Sequence, residues 1–354
     1  MRMAKDVTVT HLAGYDDIID VRSPSEYAED HIPGAISAPV LDDEERAVVG
    51  TLYAQVSPFE AKRRGAALIA RNIANHLETR FNDKPRTWRP LVYCWRGGQR
   101  SGAMAHILAQ VGWQVARLEG GYKAYRRHVV AELQRLPAQF EFRVVCGATG
   151  SGKSRLLRAL REHGAQVLDL EELAKHRGSL LGSLPDEPQP AQKMFDSLVW
   201  DALRGFDAAR PVFVEAESKK IGQISVPEAL IEAMRASACI LIDAPVEARV
   251  QLLMEDYAHF LRDPALLGQR LAPLVALHGH KVIEHWEQLA GAGAWNELVA
   301  ELLTRHYDPA YRRSTEANFA SLQRALRVQL DRLDDQGLSE AAARLCAPDQ
   351  AGIT

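Results

Sequence analysis

The chain of 354 residues is 47% apolar and 25% charged, with a formal net charge of −3. That length suits about two domains with separate cores, and the composition excludes a disordered, collagen-like or disulfide-rich protein. Four scattered cysteines with no CxxC pair argue against a disulfide framework or a zinc site and for a reducing cytosol. No apolar run approaches the roughly 18 residues of a membrane span, and "MRMAKDVTVT" lacks a signal-peptide core, so the expectation is a cytoplasmic protein with no membrane partner.

In chain order, "YDDIIDVRS" predicts a strand over Ile18–Val21, and "SPSEYAEDHI" a short helix capped by Ser23 or Ser25. Residues 42–88 read as a long, basic, helical insertion. "RPLVYC" reads as a buried strand, "RSGAMAHILAQVG" as a helix closed by Gly112, and "WQVARLEGG" as another strand and turn. This alternation predicts a parallel sheet with helices on both faces. "LQRLPAQFEF", around Pro137, reads as a connector. The pattern then restarts with the strand "EFRVVCG" and the helix "KSRLLRALREHG", ended by Gly164. Further short strands follow in "AQVLDL", "PVFVEAE" and "ACILIDAP". From about Val246 to Arg344 the pattern is helical, with a break at "HYDPAY". The fold class is therefore α/β, in two domains over residues 11–134 and 138–350.

Charge is distributed unevenly. Residues 1–59 hold 4 Lys/Arg against 11 Asp/Glu, a balance of −7, whereas residues 60–127 hold 14 against 4, a balance of +10. Any single basic cluster could be a solvated helix face. An excess of this size beside a candidate active loop favours an anionic partner such as RNA. The candidate contacts are Lys62, Arg63, Arg64, Arg71, Arg86 and Arg89, with Arg305, Arg312 and Arg313 as the rival set.

Two loops carry the chemistry. In "VYCWRGGQRSGAMAHIL", Cys94 follows a strand. The next residues, Arg96, Gly97, Gly98, Gln99, Arg100 and Ser101, can turn their N–H groups toward the sulfur. The following helix adds its positive end, and two arginines add full charge. Each contribution favours a thiolate or a bound anion, because the thiolate is the nucleophile. In "VVCGATGSGKSRLL", residues Gly147, Ala148, Thr149, Gly150, Ser151, Gly152, Lys153 and Ser154 fit G-x-x-x-x-G-K-S between a strand and a helix. That is the pattern of a phosphate-binding loop, with Lys153 on the outer phosphate and Ser154 on any Mg²⁺. Glu215 and Glu217, after a strand, are candidates for a Mg²⁺ partner or catalytic acid. No nucleotide-base motif accompanies the loop, and no metal site is assigned.

"DVRSPSEYAEDHIPGAISAP" and "LEGGYKAYR" resemble the rhodanese motifs, through Asp20, Arg22, Glu26, His31–Ala35 and Leu118–Arg126. In such proteins the loop cysteine, here Cys94, carries a transferable chalcogen. Cys94 and Arg100 are separated by five residues, the C-x5-R spacing of cysteine phosphatases, which suits a tetrahedral oxyanion.

A rhodanese-like domain followed by a P-loop NTPase-like domain with a helical C-terminal extension resembles the bacterial tRNA 2-selenouridine synthase family. "HRGSLLG", "ESKKIG" and "HYDPAY" add to the likeness. The resemblance implies that wobble 2-thiouridine of tRNA is geranylated by geranyl diphosphate, and that selenium from selenophosphate then replaces the geranylthiol. It implies Cys94 as the selenium-handling nucleophile, Arg96–Ser101 around selenophosphate, and Gly147–Ser154 around geranyl diphosphate, with no tightly bound cofactor. Two readings of the residues alone stay open. One is a rhodanese-type sulfurtransferase or C-x5-R phosphatase fused to an ATP-dependent kinase-like domain; the other is a catalytically silent RNA- or nucleotide-binding regulator.

Overall fold

A computed structural model describes residues 4–347 apart from 97, 180, 185, 186 and 263, and the side chains of 259, 262, 264 and 265 are also outside the description. The chain divides into two compact units. Met1–Glu132 with Ala191–Asp201 form the first; Leu133–Pro190 with Ala202–Thr354 form the second. The last residues of the second expected domain, from 348, lie outside the described residues.

The first unit holds β1 (Lys5–Val7), β2 (Asp17–Asp20), β3 (Ile36–Ser37), β4 (Pro90–Tyr93) and β5 (Ala116–Leu118). They form one parallel sheet in the order β1-β5-β4-β2-β3. The central β4 is buried at every position, as expected of a strand covered on both faces. Ser23 caps the helix Pro24–Glu29 in a capping box with Glu26. Helix Gln99–Val111 ends at Gly112, whose φ of 111° needs glycine. The insertion is two helices, Asp43–Gln55 and Pro58–Thr79. Asp42 caps the first by accepting the Glu45 N–H at 2.7 Å, and Ser57 the second by accepting the Phe59 N–H at 3.2 Å. Ile19, Val92, Met104 and Leu108 pack with Ile73, Phe81, Trp88 and Trp113 in the core.

Beside this core lies a buried polar network. Arg22 donates to Asp20 through Nε (3.1 and 3.0 Å) and one terminal nitrogen (2.7 Å), and to the Asp30 carbonyl at 2.5 Å. Its guanidinium lies 4.0 Å from the Tyr122 ring centroid. The Tyr122 hydroxyl and the Ser197 hydroxyl donate to the two Asp30 oxygens at 2.7 and 2.8 Å. Ser197 belongs to the segment 191–201 that groups with this unit, a return of distant sequence that local patterns do not announce.

The second unit holds β6 (Phe142–Gly147), β7 (Gln166–Leu168), β8 (Val212–Glu215), a hairpin of β9 (Lys220–Ile221) and β10 (Ile224–Ser225), β11 (Ala238–Asp243) and β12 (Leu326–Gln329). The main sheet is parallel in the order β12-β11-β6-β8-β7. Val145, Phe213, Ile240 and Ile242 pack under helices Lys153–Glu162 and Asp335–Cys346 through Leu156, Leu160, Leu338 and Leu345. A second cluster, around Leu274, Ile283, Trp286, Leu298 and Leu302, holds the helical extension together.

Two expectations for residues 246–344 are corrected. The pattern is not helical throughout, because β12 joins the sheet edge beside β11, with Ile240 opposite Leu326 and Ile242 opposite Val328. Only Val328 of this four-residue strand is buried, so its alternation was too short to read. Nor does the chain break at "HYDPAY". A π-helical turn, Leu303–Tyr307, runs into helix Asp308–Asn318, with Pro309 in its first turn, where a missing N–H leaves no helical bond unmade.

Arg22→Ala strands the buried Asp20 carboxylate, so it should destabilise the first unit by about 3–5 kcal/mol. Thermal or urea unfolding checks this; an unchanged first transition would show that the pair is dispensable.

Candidate functional site

Cys94 stands at the end of β4, buried, before the helix Gln99–Val111. The "GGYK" turn holds that end in place: the Tyr122 N–H donates to the Cys94 carbonyl at 2.8 Å and the Lys123 N–H to the Trp95 carbonyl at 3.0 Å. These are N–H groups of the first turn of helix Gly121–Arg135, which have no partner inside it. Gly120 makes the close turn; a Cβ there would lie 2.8 Å from the Ala124 Cβ.

The Cys94 sulfur lies 3.3 Å from the Ser101 hydroxyl. Burial pushes the thiol up. Hydrogen bonds from the Ser101 side chain and backbone, the Arg100 charge and the Arg96 N–H outweigh it, and hold the thiol below its ordinary value. Of the expected cradle, Arg96, Gly98 and Gln99 are exposed and Ser101 is buried, whereas Gly97 lies outside the described residues. Arg100 is already engaged. It donates to Glu26 at 2.7 and 3.2 Å, so it acts on the sulfur by charge while its hydrogen-bonding edge is occupied.

In the second unit the loop Gly147–Ser154 leaves β6 and enters helix Lys153–Glu162. Gly150 and Gly152 adopt φ of 76° and 84°, and a Cβ on Gly150 would come within 2.8 Å of Leu253. Lys153 Nζ donates to the Gly147 carbonyl at 2.8 Å, and Ser154 Oγ to Glu171 at 2.8 Å. The motifs beyond the loop brace it. The Gly147 N–H donates to the Tyr311 hydroxyl at 2.6 Å. Buried Arg249 donates to the Thr149 carbonyl at 2.9 Å, and pairs with Asp308 at 2.5 Å. "HYDPAY" thus reaches the loop's backbone from within the unit, through Tyr311 directly and through Asp308 by way of Arg249. Arg249, a lone arginine in a helical pattern, gave no signal of this role.

The loop opens on a cleft of about 990 Å³ lined by Lys153, Ser154, Asp169, Glu171, His176, Glu217 and Tyr311, among others. "HRGSLLG" and "ESKKIG" meet here. A Cβ on Gly178 would lie 2.7 Å from both Glu171 and Glu217 oxygens, and one on Gly222 would strike Gln189 and come within 3.0 Å of His176. The acids crowd one another. Burial, then the Glu171 charge, pushes Glu217 up to about 8 against the opposing pull of Lys153. Burial pushes Asp169 up to about 6. Glu215 is buried and pushed well above its ordinary value by burial and by Asp169, Glu171 and Glu217. One of its oxygens accepts the Glu171 N–H at 2.7 Å; the other has no partner among the described residues. Of the two expected acids, Glu217 lines the cleft and Glu215 sits behind it; Asp169 and Glu171 were not anticipated.

The basic candidates Lys62, Arg63, Arg64, Arg71, Arg86 and Arg89 are exposed. Arg63 pairs with Glu60 at 2.6 Å and Arg89 with Asp16 at 3.6 Å. Of the rival set, Arg312 and Arg313 are exposed, and Arg305 pairs with Glu301 at 3.4 Å. No described helix is long and apolar enough to cross a membrane.

Two family models match the chain: the rhodanese-like domain over residues 6–128, and the tRNA 2-selenouridine synthase AAA domain over residues 140–271. Among similar curated proteins are three named tRNA 2-selenouridine synthase. That of Nitrosomonas europaea is 34% identical, over 75% of this chain and 69% of its own length. Those of Sulfurovum sp. and Aeromonas salmonicida are 32% and 33% identical, covering 85% and 84% of this chain and 89% and 87% of theirs. With that identity and coverage, and with both domain types in the order read from the sequence, the chain belongs to the tRNA 2-selenouridine synthase family.

Proposed function

We propose that this chain makes 2-selenouridine in tRNA in two steps. It geranylates wobble 2-thiouridine with geranyl diphosphate, then replaces the geranylthiol with selenium from selenophosphate. The names of its relatives support the tRNA and selenium parts of this reading. The observation that carries the prenyl part is the kind of space beside the phosphate loop. Thr149, Ser179, Leu253, Tyr257 and Tyr307 line both the polar cleft and a neighbouring apolar pocket of about 60 Å³, which is completed by Leu181, Met254, Phe260, Trp295, Leu298 and Leu302, among others. A diphosphate bearing an apolar tail suits that pairing, whereas a nucleotide asks for polar groups around its base and ribose. The pocket is narrow, so a tail would enter by moving adaptable side chains such as Met254.

In the first step the thiouridine sulfur attacks C1 of the geranyl group, and the bond to diphosphate breaks with its electron pair on the leaving oxygen. Lys153 and the loop N–H groups stabilise that charge. Ser154 and Glu171 offer the hard oxygen donors that suit Mg²⁺, which when bound would supply further positive charge. No three His, Cys, Asp or Glu among the described residues are arranged to hold a metal by themselves, so phosphate oxygens would complete its shell. In the second step Cys94 is the nucleophile that handles selenium, favoured as thiolate by Ser101 and Arg100, with Arg96 as the exposed cation beside it. Selenium then bonds to C2 of the base as the C2–S bond breaks and geranylthiol departs with the sulfur; the P–Se bond of selenophosphate breaks as the Cys94 thiolate takes the phosphoryl group, which water releases from sulfur as phosphate. The engagement of Arg100 by Glu26 weighs against a C-x5-R phosphatase, whose arginine must be free to take phosphate. The basic insertion, from Lys62 to Arg89, is the proposed tRNA contact, and binding there should weaken with salt.

Three outcomes follow from these roles. Cys94→Ala abolishes selenation but retains geranylation of thiouridine tRNA supplied with geranyl diphosphate alone, read by nucleoside mass spectrometry; loss of both products in a folded variant would refute the division of labour. Lys153→Ala slows geranylation on the order of 10²–10³-fold yet selenates pre-geranylated tRNA, and normal geranylation would assign the loop another ligand. Ser101→Ala moves the pH midpoint of Cys94 alkylation by iodoacetamide upward; an unmoved midpoint would mean the hydroxyl does not stabilise the thiolate.

A further inference from the structure

The insertion carries a feature that its positive charge does not explain. Tyr53 and Phe59 are 59% and 70% exposed, and no other Phe, Trp or Tyr among the described residues is exposed. They flank the tight turn between helices Asp43–Gln55 and Pro58–Thr79, where Val56 is 67% exposed as well. The turn is well made: the Val56 and Ser57 N–H groups donate to the Leu52 carbonyl at 3.1 and 2.9 Å. Gly65 faces Val49 across the hairpin, where a Cβ would make an ordinary contact at 3.4 Å, so the two helices pack directly against each other. The apolar tip is thus presented on a braced hairpin.

Its surroundings are cationic. Residues 46–71 contain five Lys/Arg and one Asp/Glu. The single acid, Glu60, is taken by Arg63, and Lys62, Arg64 and Arg71 form no ion pair among the described residues. A partner here must offer flat apolar faces and negative charge together, the combination found in unpaired nucleotides. A second copy of the chain fits less well, because a two-fold contact would set this positive tip against itself.

We infer that Tyr53 and Phe59 form a stacking platform for unpaired nucleotides of the tRNA, with Lys62, Arg64 and Arg71 on the adjoining phosphates. This rests on the proposed action on tRNA and names the part of the RNA that is gripped. Stacking on a ring is insensitive to salt, whereas phosphate contacts release counterions, so the two kinds of contact separate experimentally.

Titrate the full chain with an unmodified tRNA transcript at several salt concentrations, alongside a fully paired RNA hairpin with a short closing loop. Tyr53→Ala/Phe59→Ala should lose about tenfold or more in tRNA affinity with the salt slope unchanged. Tyr53→Phe/Phe59→Tyr should keep wild-type affinity. Lys62→Ala/Arg64→Ala/Arg71→Ala should flatten the slope, and the paired hairpin should bind weakly and ignore the aromatic substitutions. Wild-type affinity in the Tyr53→Ala/Phe59→Ala variant, or its conversion of a wild-type dimer to monomer in sedimentation without change in RNA binding, overturns the platform. Failure of the wild-type chain to bind tRNA at all overturns the tRNA reading itself.

Discussion

The first N–H groups of a helix have no partners inside it, and both units place such a turn just past the carboxyl end of a buried parallel strand. In the first unit β4 ends at Tyr93 and the next helix begins at Gln99, with Cys94 in between. In the second, β6 ends at Gly147 and the helix begins at Lys153. A parallel strand covered on both faces keeps its end out of bulk water while the loop beyond it faces solvent. Unsatisfied donors and the positive helix end therefore gather where an anion can reach them. The two units differ in what they put there: a thiol in one, a flexible ammonium and a hydroxyl in the other.

Such a loop acts only if its backbone is held, and each unit holds it with a buried or half-buried ion pair. Asp20 and Arg22 fix Tyr122 by stacking, and Tyr122 holds the Cys94 carbonyl. Arg249 is oriented by Asp308 and holds the Thr149 carbonyl. Burying charges earns little net stability, since desolvation offsets much of the attraction. What the pairs supply here is direction: a guanidinium pinned by a carboxylate leaves a fixed set of contacts for its neighbours.

The electrostatics of the two sites run in opposite directions. Around Cys94 hydrogen bonds and positive charge outweigh burial and favour the anion. Around Ser154 burial, and then the mutual repulsion of neighbouring acids, raises the proton affinities of Asp169, Glu215 and Glu217. Buried acids whose proton affinity is raised are groups that can exchange a proton with a bound ligand.

Much of this was legible before any coordinates. The strands around Cys94 and Gly147, the helices closed by Gly112 and Gly164, and the glycines of the phosphate loop each follow from short-range rules of periodicity and backbone angle. Those rules act within a few residues, so the sequence alone carries them. The resemblance to rhodanese and to selenouridine synthases rested on motifs of the same local kind. Tertiary structure alone decided which distant residues serve those motifs. Nothing near Asp30 in the sequence points to Ser197, nothing near Thr149 points to Arg249, and β12 is too short to alternate visibly. The engagement of Arg100 by Glu26 was equally hidden, because a pairing across 74 residues depends on where two elements cross. Local spacing determined what each loop could bind; packing determined which side chains were left free to bind it.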